Sequence, residues 1–557
     1  MKDGFRQSMA WLHTWVGLVV GWVLFFVFVT GTAGYFDDEI DRWMRPELPL
    51  AERLDDVERD AMLALALDRL EQVAPGAGRW SIELPHYALQ PRGMQGLTIS
   101  WEELPERGQR QGRRGREALD AYTGEPAEAI EPRATGGGQL LYRMHYLLHY
   151  FPRNVGILLV GACTMLMLLA IVTGVITHAK IFKDFFTFRS GKGQRSWLDA
   201  HNVVSVMALP FFLMITYSGL VFFPIQYMPA AITTVYGDSP QPTRAFFDEF
   251  FERSDEVRLP LARPELSLAR MIDHAEAEWG AGQVTALDLR HFEGQAPQVD
   301  VRRAHGTQID FRDPETMRFD ATSGERIASD APMHGAGKTR NVLIALHEGL
   351  FADIWLRWLY FAAGLLGCAM IGTGLVLWTV KRRKRHQKRD GGAPSFDAAG
   401  LRLVEVLNIA TIAGLPVAVA AYFWANRLLP LEIADRAQWE VHSMFLTWGW
   451  VFLYASLRPL RRAWIEVLWL AAAAFALLPL LNLLTTDRHL GVTVAHGDWA
   501  LAGFDLTMLG LAALFCYMAR TLQRKWRSEA GSAGETEARA ASADGETWSN
   551  VEAEVAQ

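Results

Sequence analysis

Long apolar segments constrain this chain more than any other feature of its sequence. Half of the 557 residues are hydrophobic and 21% are charged, and the apolar residues are concentrated in blocks. A helix needs about 20 apolar residues to cross the hydrocarbon core of a bilayer. We therefore predict a mainly α-helical integral membrane protein whose first block is a retained anchor. The sequence indicates about eight transmembrane helices, at residues 12–36, 154–178, 202–226, 356–380, 403–424, 441–457, 463–486 and 499–520.

Basic residues orient these helices relative to the membrane. Lys and Arg gather at the N-terminus and after every second predicted span, as is typical of short cytoplasmic loops. Both termini are therefore predicted to be cytoplasmic, and the long loops 37–140 and 227–340 to lie outside. The remaining predicted segments are helices at 1–36, 141–180, 201–226 and 341–381, cytoplasmic loops at 181–200 and 382–402, a four-span region at 403–527 and a disordered tail at 528–557.

The two outer loops share one order of elements. Each begins with an amphipathic helix pattern, continues with short strand patterns and ends in an Asp-Ala-x-Ser/Thr-Gly-Glu turn. In that turn Gly124 and Gly324 supply a permissive backbone, and Asp120 and Asp320 are placed to hydrogen-bond the local main chain. The pattern predicts two small outer α+β domains related by duplication.

Histidine and glycine recur in the first four predicted spans with related spacings. The repeating unit is one span, one outer domain and a second span, and it occurs twice. The histidine–glycine pairs are His13–Gly31 and His201–Gly219, each 18 residues apart, His149–Gly174, 25 residues apart, and His347–Gly374, 27 residues apart.

The duplication predicts that equivalent histidines face each other. Copies of a two-span unit keep their orientation, so they are related by a pseudo-twofold axis along the membrane normal. His13 and His201 then form a pair near the cytoplasmic side, and His149 and His347 a pair near the outer side. Two imidazoles in an apolar helix bundle without cysteine ligands indicate non-covalent haem b, with the iron held by the histidines. We predict an internally duplicated four-helix core with two haems b, one near each face.

Other assignments of the ligands and of the metal remain open. His145, one helical turn before His149, is the second choice for the outer haem or contacts its propionate. His178, at the cytoplasmic end of the second span, is the second choice for the inner haem. A zinc or copper site would instead require nearby carboxylates or thiolates. Asp199 and Glu348 satisfy this only in the second copy of the repeat.

Missing motifs exclude several classes of function. The three cysteines, Cys163, Cys368 and Cys516, lie in apolar blocks and form no C-x-x-C pair, which argues against iron–sulfur clusters and c-type haem. The cytoplasmic connections are short and carry neither a nucleotide-binding GxGxxG unit nor a P-loop. A net charge of −7 gives no support for nucleic-acid binding. Electrons would therefore come from a cytoplasmic reductant, a separate reductase or a membrane quinol.

These motifs resemble those of the PepSY-associated transmembrane-helix family. The resemblance rests on HTWVGLVVGW followed by VTG near the N-terminus, LDAHN followed by SG in the third span, histidine-led second and fourth spans, and the two outer turns. It covers roughly residues 5–385, about two-thirds of the chain. The four further spans resemble the long form of the family, and the sequence assigns them no role.

The resemblance implies an iron-regulated ferric-siderophore reductase of the bacterial inner membrane. The outer loops would be periplasmic PepSY-like domains, and the histidine positions of the family would fall on the four paired histidines. Electrons would cross the membrane to a ferric siderophore in the periplasm, and Fe(II) would leave because it binds hard oxygen donors less tightly. Trp80, Tyr122 and the loop around His86 are candidate contacts on the outer surface. Two alternatives are a haem b conduit to another periplasmic acceptor and a non-redox membrane scaffold or interaction protein.

Overall fold

The computed structural model describes most of the chain, although the loop around His86 lies outside the described residues. These residues form two compact units, Met1–Arg133 with Gly137–Val380 and Ala134–Gly136 with Lys381–Gln557. The described residues are 3–50, 58–85, 96–106, 112–127, 131–178, 183, 185, 189, 191, 193–237, 241–250, 257–304, 309, 316–327, 335–390 and 396–555.

The first unit contains both copies of the predicted repeat. Each copy runs from apolar helix through amphipathic helix and strands to a short helix and a second apolar helix. The first copy comprises α1 (Asp3–Gly34), α2 (Asp37–Trp43), α3 (Arg59–Val73), β1 (Arg79–Glu83), β2 (Thr98–Glu102), β3 (Arg114–Ala118), α4 (Gly137–Leu147) and α5 (Arg153–Thr177). The second comprises α6 (Gln194–Met207), α7 (Leu209–Gly219), α8 (Pro224–Tyr227), α9 (Pro229–Tyr236), α10 (Pro242–Phe250), α11 (Leu268–Trp279), β4 (Val284–Arg290), β5 (Gln298–Arg303), β6 (Thr316–Asp320), β7 (Arg326–Ile327), α12 (Gly335–Glu348) and α13 (Ile354–Asp390).

Apolar helices make this a multi-pass membrane protein. Among the described residues, six helices are long and apolar enough to cross a membrane, and α6 with α7 forms a seventh candidate. The helix Arg436–Leu457, which contains the predicted span 441–457, is not one of them because its first turns carry Arg436, Glu440 and His442. The prediction of eight spans is thus supported for at most seven segments. The six helices lie at Gly4–Gly34, Arg153–Thr177, Ile354–Gln387, Asp397–Leu428, Leu460–Thr485 and Trp499–Glu529.

The third predicted span is bent. Helices α6 and α7 meet at an angle of 67° at Ala208, whose φ of −116° and ψ of 21° lie outside the helical region. Pro210 occupies the second position of α7. A proline has no N–H, and its ring collides with the carbonyl four residues earlier, so it bends or breaks a helix. His201 and Gly219 therefore lie on separate straight segments.

The outer loops fold into one seven-stranded sheet, although two separate domains were expected. The strand order is β3-β2-β1-β4-β5-β6-β7, and every neighbouring pair is antiparallel. At the junction, Arg79 of β1 pairs with Arg290 of β4, and Glu83 with Ala286. Because β1 and β4 are the first strands of the two copies, the copies meet about a local twofold axis. Strands β1 and β4 hydrogen-bond each other, so neither remains a sheet edge with unpaired N–H and C=O groups.

One hydrophobic core packs beneath this sheet, against α3 and α11. Trp80 is 1% exposed and donates its indole N–H to the carbonyl oxygen of Ala74 at 3.0 Å. It is therefore a core residue, whereas Tyr122 is 56% exposed. The fully or almost fully buried members of the core from both copies include Leu70, Ile82, Ile99, Ile272, Leu287, Val299, Val301 and Phe319.

The duplicated turn forms in both copies as predicted. The Oδ1 atom of Asp120 accepts the N–H groups of Tyr122 and Thr123 at 2.9 and 2.8 Å. Asp320 Oδ1 accepts the N–H groups two and three residues ahead in the same way, at 2.7 and 2.9 Å. These backbone donors hold the pKa of both carboxyl groups below the ordinary value. Gly124 and Gly324 close the turns with φ of 71° and 74°, a conformation that glycine adopts without strain.

The second unit is a helical bundle with a buried polar cluster. Its helices are α14 (Phe396–Asn408), a π-helical segment (Ile409–Gly414), α15 (Leu415–Leu428), α16 (Arg436–Leu457), α17 (Leu460–Ala476), α18 (Leu478–Thr485), α19 (Leu490–Ala495) and α20 (Trp499–Val555). Glu440 and Arg436 of α16 are 0% and 1% exposed and lie 2.5 Å apart. Asn426 and Thr135 also donate to Glu440, at 2.8 and 2.5 Å. Buried charges are tolerated when they are paired in this way.

Removing Glu440 is expected to destabilise this unit strongly. Glu440→Ala leaves Arg436 buried without its carboxylate, a change that costs about 3–5 kcal/mol. Thermal unfolding of the detergent-purified protein measures the loss. Glu466→Ala is the matched control, because Glu466 and Arg458 are 35% and 42% exposed and such pairs contribute about 0–1 kcal/mol. Equal unfolding midpoints for the two variants would contradict a structural role for the buried pair.

Helix α20 extends to Val555, through the region 528–557 that was predicted to be disordered. The segment contains no proline and is rich in Ala and Glu, which are strong helix formers. It also continues without interruption from an apolar helix, so it needs no new nucleation. The acidic composition that suggested disorder is therefore compatible with a helical extension.

Candidate functional site

The two histidines predicted for the cytoplasmic side lie side by side. His13 on α1 and His201 on α6 have ring centroids 6.2 Å apart and ring planes inclined by 62°. Both residues are half-buried. His178 directly follows the end of α5 and is close enough to His201 for an electrostatic interaction. The inner pair is therefore His13 with His201, and His178 borders it.

In the pair predicted for the outer side, the structure places His145 and not His149 opposite His347. His145 on α4 and His347 on α12 have ring centroids 5.9 Å apart. Helix α4 ends at Leu147, and the chain reverses at Leu148, whose φ is 55°. His149 therefore lies beyond the end of α4, and its ring contacts Tyr150 at a centroid distance of 4.7 Å. The structure thus places the second-choice residue, His145, beside His347, and the assignment of the outer haem ligand stays a prediction.

Each paired histidine uses Nδ1 to hydrogen-bond the neighbouring helix of its own repeat. A carbonyl oxygen only accepts, so Nδ1 carries the proton in each case and Nε2 keeps a free lone pair. This arrangement fixes the tautomer and orientation of metal-binding histidines in proteins. The acceptors are Ala170 O for His13 at 2.8 Å, Val27 O for His145 at 2.8 Å, Met370 O for His201 at 3.0 Å and Ile215 O for His347, whose Nδ1 also lies 3.1 Å from Ser218 Oγ.

Each of these carbonyls lies four residues before a glycine that the imidazole touches. An added Cβ on Gly174 would lie 3.0 Å from His13 Cε1, and one on Gly219 would lie 2.9 Å from His347 Cε1. On Gly374 it would lie 3.2 Å from His201 Cε1, and on Gly31 it would overlap the His145 ring. The missing side chain exposes the flank of the helix, so that the carbonyl accepts a second hydrogen bond through its other lone pair.

Each glycine therefore contacts the histidine of the partner helix and not the histidine on its own helix. Gly31 of α1 receives His145 of α4, and Gly174 of α5 receives His13 of α1. The second copy repeats this exchange, with Gly219 receiving His347. His13 and Gly31 are 18 residues apart on α1, about 27 Å at 1.5 Å per residue. The two histidine pairs are thus separated by most of the thickness of a bilayer core.

A hydroxyl residue before each glycine is the signal that sequence reasoning missed. All four glycines follow Ser or Thr, and each hydroxyl donates to the backbone carbonyl four residues earlier. This fourfold Ser/Thr-Gly pattern marks the positions that receive the histidines. The bonds are Thr30 to Phe26 at 2.9 Å, Thr173 to Leu169 at 2.7 Å, Ser218 to Met214 at 2.6 Å and Thr373 to Ala369 at 2.7 Å.

The separation within each histidine pair would suit a metal ion bound between two imidazoles, such as the iron of haem b. Metal–nitrogen bonds of about 2.0–2.1 Å, with about 1 Å more from each nitrogen to its ring centre, place two centroids roughly 6 Å apart. The observed separations are 6.2 and 5.9 Å. Haem also requires an apolar helical setting, which α1, α5, α7 and α13 provide.

Carboxylates do not complete either pair. Asp199 accepts two bonds from Arg189, at 2.9 and 2.8 Å, and Glu348 accepts the Tyr142 hydroxyl at 3.2 Å. Within the described part of the chain, no group of three or more His, Cys, Asp or Glu side chains is arranged to hold a metal ion. In the described residues, each pair therefore offers two imidazoles as candidate ligands and no carboxylate beside them.

Comparisons with known proteins cover this same region. A family model described as PepSY-associated TM region matches residues 10–381. The chain is also similar to the uncharacterized protein PA4219 of Pseudomonas aeruginosa. The two are 27% identical over 406 residues, which cover 67% of this chain and 92% of that protein. The residues matched by the family model include both outer segments and all four paired histidines.

Proposed function

This chain belongs to the PepSY-associated transmembrane family, and from that premise and its two histidine pairs we propose that it is a dihaem b reductase. It sits in the bacterial inner membrane with both termini in the cytoplasm. Electrons from a cytoplasmic reductant, a reductase or a quinol cross the membrane and reduce a ferric siderophore in the periplasm. Each electron converts Fe(III) to Fe(II), which leaves the oxygen donors of the chelator because they bind Fe(II) less tightly.

The pairing of the four histidines is the single observation that carries this proposal. Two pairs with metal-compatible separations lie near opposite ends of one membrane-spanning core. Bound haem b would supply a reversible one-electron couple at each pair. The four imidazoles share the same tautomer, each hydrogen-bonds a carbonyl four residues before a glycine, and each contacts that glycine. A non-redox scaffold would not explain why all four histidines have these features.

The chain itself contributes ligand orientation. The carbonyls of Ala170 and Met370 hold His13 and His201 with Nε2 available, and those of Val27 and Ile215 do the same for the outer pair. A proton fixed on Nδ1 by a carbonyl raises the basicity of the opposite nitrogen and strengthens it as a ligand. The apolar helices around each pair exclude water and lower the local dielectric, which also tunes a redox potential.

A visible spectrum of the detergent-purified protein tests the proposal. We expect about two haems b per chain by pyridine haemochrome, with sharp low-spin bands after reduction by dithionite. Oxidation of the reduced protein by a ferric siderophore, followed with an Fe(II)-specific chelator, then tests the substrate. A protein that remains colourless after haem-replete expression would overturn the reductase and favour the scaffold. A dihaem protein that ferric chelates do not oxidise would favour another periplasmic acceptor.

A further inference from the structure

The outer sheet has one face made almost entirely of polar side chains. Strand registers place these residues in three rows that run across six strands, while the alternate residues point into the core. The rows are Arg114, Glu102, Arg79, Arg290, Gln298 and Asp320; Arg116, Ser100, Ser81, Asp288, Asp300 and Arg318; and Ala118, Thr98, Glu83, Ala286, Arg302 and Thr316.

The charges on this face are layered. The carboxylates of Glu102, Asp288 and Asp300 are only 6%, 1% and 5% exposed, whereas the side chains of Arg114 and Arg116 are 63% and 55% exposed. Ion pairs of 2.6 to 3.5 Å join the network. Its four carboxylates, including Glu83, serve seven guanidinium groups, those of Arg79, Arg114, Arg116, Arg258, Arg290, Arg302 and Arg318.

The buried carboxylates orient the arginines and leave positive charge on top. Burial by itself would raise the pKa of Asp288, but Arg302 and Arg79 together hold that pKa below its ordinary value. Asp288 therefore remains ionised and keeps both guanidinium groups in place. Each guanidinium has five donors in a fixed plane, so a guanidinium held by a carboxylate can also donate to the oxygens of a ligand. The result is an anion receptor whose geometry is set before a ligand arrives.

A depression marks the most exposed end of this face. Its cavity volume is about 290 Å³, and Arg79, Ser100, Glu102, Arg114 and Arg116 line it together with Trp101 and Gly115. Arg114 and Arg79 lie on strands two positions apart, roughly 10 Å at the usual strand spacing. Three arginines thus line a space large enough for a compact ligand, with a single carboxylate among the lining residues.

We propose that this arginine face binds the anionic form of an oxygen-donor metal chelate, with Arg79, Arg114 and Arg116 donating to its anionic oxygens. The inference rests on the proposed function. It states that the substrates of the proposed reductase are anionic chelates and not neutral ones. Planar guanidinium groups bind paired oxygens in a bidentate manner, which is how the oxygens of catecholate and carboxylate donors are presented. A free phosphate or a phospholipid headgroup presents the same chemistry, and the experiment separates these sources.

Binding of a gallium chelate tests this assignment without requiring electron transfer. The full-length protein in phosphatidylcholine nanodiscs is titrated calorimetrically with the trianionic tris-catecholate complex of gallium(III), which is redox-inert, and with a neutral tris-hydroxamate complex. We expect tighter binding of the anion, weakened by salt. Arg114→Gln with Arg116→Gln should raise its Kd by about tenfold or more, because hydrogen bonds to charged groups are lost. The matched control is Arg59→Gln, which removes one positive charge next to Asp273 and Glu276 on α11.

Three results would overturn the proposal. These are equal binding of the anionic and neutral complexes, unchanged binding by the double glutamine variant, and arginine-dependent binding of inorganic phosphate or of phosphatidylglycerol nanodiscs without binding of the chelate. If the glutamine variant fails to fold, Arg114→Lys with Arg116→Lys replaces it, and a loss of bidentate binding should still raise the Kd. Failure of the reductase would leave gallium binding intact, and failure of binding would leave haem content intact, so the two failures are distinguishable.

Discussion

Replacing His145 with alanine is expected to lower the haem content of the purified protein from about two to about one per chain. His145 faces His347 at a centroid separation of 5.9 Å, so its removal leaves the outer pair with a single imidazole. The inner pair is unchanged and should keep its low-spin spectrum. Pyridine haemochrome quantification against protein concentration measures the loss, and the spectrum of the reduced protein shows which haem remains.

His149→Ala is the matched control because it removes the same side chain four residues further along the chain. His149 follows the turn at Leu148, and its ring contacts Tyr150, so this variant should retain about two haems per chain. His347→Ala should resemble His145→Ala. Loss of one haem in His149→Ala, with full occupancy in His145→Ala, would restore His149 as the outer ligand and refute the assignment made from the structure.

Replacing Gly31 with leucine is expected to remove the outer haem while leaving both outer histidines in place. A side chain at this position overlaps the ring of His145 and covers the Val27 carbonyl that holds His145 Nδ1 at 2.8 Å. The imidazole then loses its fixed tautomer and its distance to His347. Haem content should fall to about one per chain. Gly31→Ala should give a smaller decrease, although alanine favours a helix over glycine by about 1 kcal/mol.

Gly4 provides the control on the same helix, nine residues before His13. An added Cβ at Gly4 meets no atom within 4 Å, so Gly4→Leu should leave the haem content at about two per chain. Comparing the two variants separates the contact with histidine from any general effect of a larger side chain on α1. Equal haem content in the two leucine variants would show that the glycine contact does not position His145.

The duplication explains why these effects should be local. Within each copy, the first apolar helix holds one histidine and receives the other, so the two sites share helices but no ligand. The outer segments repeat this reciprocity, because β1 and β4 each complete the sheet of the other copy. One copy alone would leave a strand edge and its imidazoles without partners. When the two copies meet about one axis, each provides the other's strand and imidazole partners.

The sequence favoured His149 for the outer pair, whereas the structure places His145 beside His347, and this difference has a definite reason. His347 lies 27 residues before Gly374, while His149 lies 25 and His145 lies 29 residues before Gly174. Both candidates miss the spacing of the other copy by two residues, so spacing does not discriminate between them. The decision comes from the backbone at Leu148, where a non-glycine residue adopts a φ of 55° and ends the helix that presents His145.

Structural features that depend on neighbouring residues were determined by the sequence alone. Apolar length predicted the membrane helices, since backbone groups in lipid must be paired within a helix. The Asp-Ala-x-Ser/Thr-Gly-Glu turns followed from local hydrogen bonds around Asp120 and Asp320. The family resemblance followed from motifs in the same order.

Only the tertiary structure decided which elements meet. It joined β1 to β4 in one sheet, set Gly31 against His145, and paired Arg79 with the buried carboxylate of Asp288. These contacts connect residues more than 100 positions apart, and their geometry depends on helix ends, strand registers and side-chain directions that no local pattern contains. The physical reason is that hydrogen bonds along a chain follow from neighbouring residues, whereas packing between helices and strands follows from the whole fold.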